Sequence, residues 1–144
     1  GRPWRLSALS QCVINATAVS ITPVCLKKRP DPRARYSERA VPLAEGTPMS
    51  RLSALMPSGG LQLRRSPAGF SSTMHCTTHP QWLFVLEGRM EIGLPDGTVR
   101  VFGPGQHFYS ADTLPAGATF DPTVHGHRSR ALDGQPLVTA FVRS

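Results

Sequence analysis

The residues best able to do chemistry lie in the stretch M74-H-C-T-T-H-P-Q-W-L-F-V-L-E-G-R-M-E-I92 and in a second, distant stretch, H125-G-H-R-S-R130. The first offers His75, His79 and Gln81 just ahead of an apolar run, and the second offers His125 and His127 followed by Arg128. Imidazole is the commonest protein ligand for Zn, Ni, Cu and Fe, and a metal site needs three or four convergent donors. Two histidine clusters from distant segments are therefore a candidate metal centre. The alternative is a polar lining that only hydrogen-bonds a ligand or water. Arg128 and Arg130 could bind a carboxylate ligand, or lie on a solvated strand face.

Whether these side chains converge depends on the strands that carry them. Positions two apart on an extended strand share a face, so His75, Thr77, His79 and Gln81 would all point one way if the strand were unbroken. Pro80 predicts a break, because proline cannot donate to a ladder and restricts the residue before it. His79 then lies in a turn at the rim, with His75 and Gln81 facing each other across adjacent strands. Glu87 lies ~20 Å further along the strand, too far to join them. Cys76, beside His75, is expected on the opposite face as a buried thiol. W82-L-F-V-L86 is apolar at every position, which predicts a strand buried on both faces, as one packed against another sheet or subunit would be. A homodimer follows from that reading.

The rest of the chain supplies short strands separated by turn signals. Apolar runs recur between Pro57-Ser58-Gly59-Gly60, Glu87-Gly88, Pro95-Asp96-Gly97, Gly103-Pro104-Gly105 and Asp133-Gly134, a rhythm that predicts an all-β sandwich or barrel. E91-I-G-L-P-D-G-T-V-R-V101 is the clearest hairpin, its Pro-Asp-Gly turn providing the preset φ and the left-handed position. The 144 residues suffice for one ordinary core. We read residues 38–144 as that domain and residues 1–37 as a basic N-terminal extension.

Residues 1–39 carry +6 of the net charge of +7. Arg2, Arg5, Lys27, Lys28, Arg29, Arg33, Arg35 and Arg39 oppose only Asp31 and Glu38, while the remainder is nearly balanced. A concentrated basic stripe is missing from the domain itself, which argues against nucleic acid as a partner. The first thirty residues have the composition of a transit peptide, but C12-V-I-N-A-T-A-V-S-I-T-P-V24 is rich in β-branched residues, and an ordered edge strand is the preferred reading. K27-K-R-P-D-P-R-A-R35 reads as a proline-rich linker. Asn15-Ala16-Thr17 matches a glycosylation pattern without a secretion signal beside it. The three cysteines show no CxxC spacing and cannot all pair within the chain, so a reducing, cytoplasmic setting is expected. No run approaches the ~20 apolar residues of a membrane span, and no membrane partner is expected.

The histidine cluster ahead of V85-L-E-G88, then G-x-L-P-D-G, F102-G-P-G105 and a late Gly-His-Arg-Ser-Arg, resemble the motifs of the cupin superfamily. The resemblance covers about residues 38–144 and is nearest to small single-domain cupins of unassigned function. It implies a jelly-roll, or double-stranded β-helix, barrel holding a small-molecule ligand. The family's first metal motif is His-x-His, three or four residues, Glu, six residues, Gly. On these positions His75 matches the first histidine, Thr77 stands where the second should be, Gln81 replaces the glutamate, and His127 matches the late histidine. The resemblance thus implies a divalent Fe, Ni, Zn or Mn ion held by His75, His79, Gln81 and His127, with Thr77, His125 and Arg128 toward the ligand. Any enzyme activity would be dioxygenase-like or isomerase-like. The alternative is a non-catalytic barrel without metal. D112–H127 is longer than in those relatives, as a lid or a tolerated surface loop.

Overall fold

A computed structural model of the chain describes residues 19–28 and 33–144. In chain order the strands are β1 (Ser20–Ile21), β2 (Val24–Lys28), β3 (Ala34–Glu38), β4 (Val41–Pro42), β5 (Glu45–Thr47), β6 (Ser50–Leu52), β7 (Gly60–Ser66), β8 (Gln81–Glu87), β9 (Met90–Gly93), β10 (Val99–Phe102), β11 (His107–Ala111), β12 (Arg128–Ala131) and β13 (Leu137–Arg143). The described residues are all-β, as the short apolar runs and turn signals predict. Among them no helix is long and apolar enough to cross a membrane.

The strands divide between two compact units. One contains, among the described residues, Val19–Thr22 and Arg39–Met56; in it β1 pairs with β4, and β5 forms a hairpin with β6. The other contains Pro23–Glu38 and Pro57–Ser144 and carries the candidate site. A division at residue 37 would cut between different segments: β2 and β3 belong to the larger unit, whereas residues 39–56 do not. The segment read as a linker flanks a hairpin instead, since Lys27 pairs with Arg35 and Lys28 with Ala34. Its prolines Pro30 and Pro32 come between β2 and β3 in the sequence. They lie outside the described residues, as do Cys12, Asn15 and the basic leader through residue 18.

The larger unit has a six-stranded sheet in the order β3-β2-β11-β8-β13-β7 and a three-stranded sheet in the order β10-β9-β12. All pairings are antiparallel except β2 with β11. Alternation decides what each strand contributes to the interior. Leu26, Leu83, Val85, Phe108 and Leu137 of the larger sheet meet Met90, Ile92 and Phe102 of the smaller one in a single apolar cluster. Each such buried side chain contributes roughly 1.5–3 kcal/mol of transfer free energy. Tyr36 of β3 ties the sheets together by donating its hydroxyl to the Ile92 carbonyl, 2.7 Å away, and burial raises its phenol above the ordinary range.

The β9–β10 hairpin forms as its turn predicts. The Leu94 and Thr98 backbones close it, and the Asp96 carboxylate accepts the Thr98 N–H at 2.9 Å. β8 departs from its expected burial on both faces. Leu83 and Val85 are buried, but Trp82 and Phe84 on the other side are only half-buried and Leu86 is exposed. Trp82 there meets Tyr109 edge-on at 5.1 Å, and Phe84 lies 5.4 Å from the His107 ring.

Behind β9, Glu91 turns away from the apolar cluster and is nevertheless buried. Arg130 reaches it through two N–H donors at 3.0 Å each, and Arg128 adds a third contact at 3.3 Å. Gly93 makes room for this cover, because a Cβ there would come within 2.8 Å of the Arg128 guanidinium carbon. Hydrogen bonding from Arg130 holds the Glu91 carboxyl below its usual range, outweighing the opposing effect of burial. A carboxyl lowered in the folded state stabilises the fold above its unfolded pKa of about 4.3 and loses that contribution as pH falls through the folded value. Replacing Glu91→Gln should therefore cost about 1–2 kcal/mol at neutral pH and remove this component from the acid side of the stability profile. Thermal unfolding from neutral to strongly acidic pH checks both; equal slopes for wild type and variant would refute the assignment.

Candidate functional site

The site begins with a backbone contact. His75 and His127 face each other in an antiparallel bridge, each N–H donating to the other's carbonyl, at 2.9 Å from His75 and 3.0 Å from His127. Gly126 makes the bridge sterically open. Its φ is 78°, and any Cβ would overlap the His75 carbonyl oxygen. Directly opposed residues on such a pair share a face, so the two imidazoles come together with centroids 4.7 Å apart.

Each ring is fixed through its Nδ1. His75 Nδ1 lies 2.9 Å from the Thr73 carbonyl, which can only accept, so this nitrogen carries the proton. His127 Nδ1 lies 2.5 Å from Asp112 Oδ2. The other carboxylate oxygen accepts from Thr77 at 2.8 Å and from Ser110 at 3.0 Å, and those two hydroxyls also touch each other. A hydroxyl has one hydrogen, so only two of these three contacts carry one at a time. His127, Asp112, Thr77 and Ser110 are all buried, and the mutual hydrogen bonds hold the four side chains in one arrangement. With Nδ1 protonated on both neutral rings, each Nε2 presents a lone pair. The carboxylate behind His127 also supports a proton arriving at its Nε2, the arrangement that suits a histidine to proton acceptance.

A cavity of about 220 Å³ opens beside these rings. Its polar lining includes His75, Thr77, Gln81, Ser110, His127 and Ser129, and its walls are Leu83, Met90, Ile92, Phe108 and Phe141. Arg64 also lines it, from the edge strand β7. Its guanidinium carbon lies 5.1 Å from the centroids of both Phe70 and Phe141. Although the side chain as a whole stays accessible, desolvation draws its pKa below the ordinary arginine value.

The residues expected at the site thus separate into two groups. His75, Thr77, Gln81 and His127 meet at one cavity. His79 is exposed next to Pro80 and does not line it. His125 is buried, but its Nδ1 accepts the Asp121 N–H at 2.9 Å and closes the turn that leads into Gly126. Asp121 also accepts from the Thr123 backbone and hydroxyl, which lowers its carboxyl pKa. Arg128 lies on the opposite face of β12 from Ser129 and is engaged with Glu91, away from the cavity. Cys76 does line the cavity, contrary to strict alternation, because His75 stands in an isolated bridge and no continuous strand carries the alternation on to Cys76. Asp112, Ser110 and Arg64 were not legible as site residues from their types alone. The alternation of Phe108 and Ser110 along β11, continued by Asp112 just past its end, is the signal that points Ser110 and Asp112 inward.

The donor set does not match a resident metal of the kind the histidine motif implies. Among the described residues no three of His, Cys, Asp and Glu are grouped so as to hold a metal ion. His75 and His127 supply two imidazoles, Asp112 is turned to His127 Nδ1, and Gln81 is a neutral amide, a poor ligand for transition metals. The chemistry available to the chain's own side chains is binding, orientation and proton acceptance.

No family model matches the sequence, and no curated protein matches it. Among solved structures it is similar to the polyketide cyclase RemF of Streptomyces resistomycificus, at 25% identity and a TM-score of 0.41 over 58% of this chain and 53% of that one. It is similar to an RmlC-like cupin of Shewanella frigidimarina at 20% identity and a TM-score of 0.38, over 58% of this chain and 67% of that one. It is also similar to the cupin domain of Schizosaccharomyces pombe Cnp3, at 14% identity and a TM-score of 0.44 over 87% and 86%. The chain spans little more than half the length of the cyclase.

The bridge makes a sharp test of how the site is assembled. Gly126→Ala should destabilise the protein by about 1–3 kcal/mol, from the positive φ and the overlap with His75, and should separate the two rings. Denaturant unfolding together with nuclear Overhauser contacts between the imidazoles reads both effects. Unchanged stability and unchanged contacts would show that the close approach is not required.

Proposed function

We propose that this chain is a cupin-type barrel protein that binds a small molecule in its cavity through direct hydrogen bonds to protein side chains, without a resident metal. The observation that carries the reading is the pair of imidazoles at the polar end of an apolar-walled cavity of about 220 Å³. That volume lies below the roughly 300–1,000 Å³ typical of drug-sized ligands and suits a molecule of one ring or less. His127 is the strongest acceptor in the set, since Asp112 fixes its ring and its tautomer. Gln81 and Ser129 supply further polar contacts, and His75 stands beside them. The reading is one of binding, with His127 available as a proton acceptor should the ligand be transformed.

Elemental analysis of protein purified without added metal is the test. The expected result is iron, nickel, zinc and manganese all far below one equivalent. Stoichiometric metal that disappears in both His75→Ala and His127→Ala would establish the metal-dependent alternative. A second copy of the chain is the partner we favour, in a cytoplasmic setting. Leu61 and Leu63 lie exposed on β7, which is a free edge of the six-stranded sheet, and an open apolar edge invites strand addition. Light scattering should give a dimer mass for the wild type and a monomer mass for Leu63→Arg; a monomeric wild type would exclude this contact.

A further inference from the structure

Arg64 is the cation that the binding reading leaves unexplained. It lines the cavity, and among the described residues it forms no ion pair and no hydrogen bond. Four arginines of this unit have acidic partners: Arg89 pairs with Asp133, Arg100 with Glu38, and Arg128 and Arg130 with Glu91. The contacts of Arg64 are instead with the Phe70 and Phe141 rings. Such contacts engage the face of a guanidinium and leave its N–H edge for bidentate binding of a planar anion. Its strand register aims it inward. Arg64 stands opposite Thr139, which is fully buried, and the neighbouring inward positions on β7 place Gln62 against Phe141 and Ser66 against Leu137. Arg65 therefore faces the other way.

We propose that Arg64 recognises the carboxylate of the cavity's ligand, and that this ligand is a small, flat acid with a hydrogen-bond donor at a second position. The inference rests on the binding function proposed above and names the class of molecule bound. A planar carboxylate matches the edge of a single guanidinium. A doubly charged phosphate would bring more charge than this one arginine balances. Leu83, Met90, Ile92, Phe108 and Phe141 call for an apolar body between the polar ends. The lone pairs at Nε2 of His75 and His127 accept and do not donate in the neutral rings, so the ligand's other polar group must bring a hydrogen. A phenolic hydroxyl meets that demand. The desolvation of Arg64 agrees with a cation held partly out of water until an anion arrives.

The test uses the three hydroxybenzoate isomers as probes, each against the hydroxybenzamide of the same shape, measured by calorimetry on the full chain. At least one isomer should bind the wild type about ten- to a hundredfold more tightly as the acid than as the amide, the range of a charged hydrogen-bond pair. Arg64→Gln should abolish that preference while still binding the amide, which also reports an intact cavity. Arg65→Gln should retain it, and Arg64→Lys should fall between. Equal affinity for acid and amide in the wild type would overturn the role of Arg64 and leave the cavity reading standing. A preference that survives Arg64→Gln would overturn it as well. If no acid and no amide binds, the binding function fails together with this inference.

Discussion

The whole site hangs on one backbone approach, that of Gly126 to the His75 carbonyl. Two segments more than fifty residues apart in sequence are joined there by a reciprocal pair of hydrogen bonds. The rings of His75 and His127 are brought together because their main chains are, and no metal ion is needed to assemble them. The turn before Gly126 is itself held by His125, so H125-G-H127 works as a unit in which one histidine shapes the loop, the glycine permits the contact and the other histidine faces the cavity. Asp112 then completes the arrangement by fixing the second ring from behind.

Much of this was readable from residue types and spacing. The all-β architecture followed from short apolar runs broken by turn residues, and the Pro-Asp-Gly hairpin formed where its chemistry placed it. His75 and Gln81 were expected to face each other across adjacent strands, but His75 bridges His127 while Gln81 pairs with Ser110 and Arg143, so the two line one cavity from different neighbours. The unread part has a common cause. Periodicity predicts which way a side chain points along a strand but not which neighbour neutralises it, so Arg128 looked like a ligand contact until Glu91 was seen across the ladder. Arg64 was overlooked because β7 is an exposed edge whose inward face carries polar residues, giving no apolar signal to mark it. Of the residues read as a linker, Lys27 pairs with Arg35 and Lys28 with Ala34, pairings that a run of charges and prolines does not signal.

Charge is handled differently on the two sides of β9 and β12. Outside, Glu91 is shielded by two guanidiniums and its negative charge is fully matched. Inside, Asp112 is turned toward a histidine and two hydroxyls, and among the described residues Arg64 is met by the Phe70 and Phe141 rings and not by an acid. The two sides of the sheet thus differ in how far their charges are matched.

The parallel pairing of β2 with β11 also governs how the molecule is made. Val24 lies beside Phe108, some eighty residues later in the chain, so this contact closes a long loop and gains nothing from local sequence. Until it forms, β11 has only β8 as a neighbour and presents an open edge next to Phe108 and Asp112, the strand that orients His127. β2, although it precedes β11 in the chain, is thus among the last strands to find its place. A partly unfolded chain would be most exposed to wrong strand pairing at the element on which the histidine pair depends.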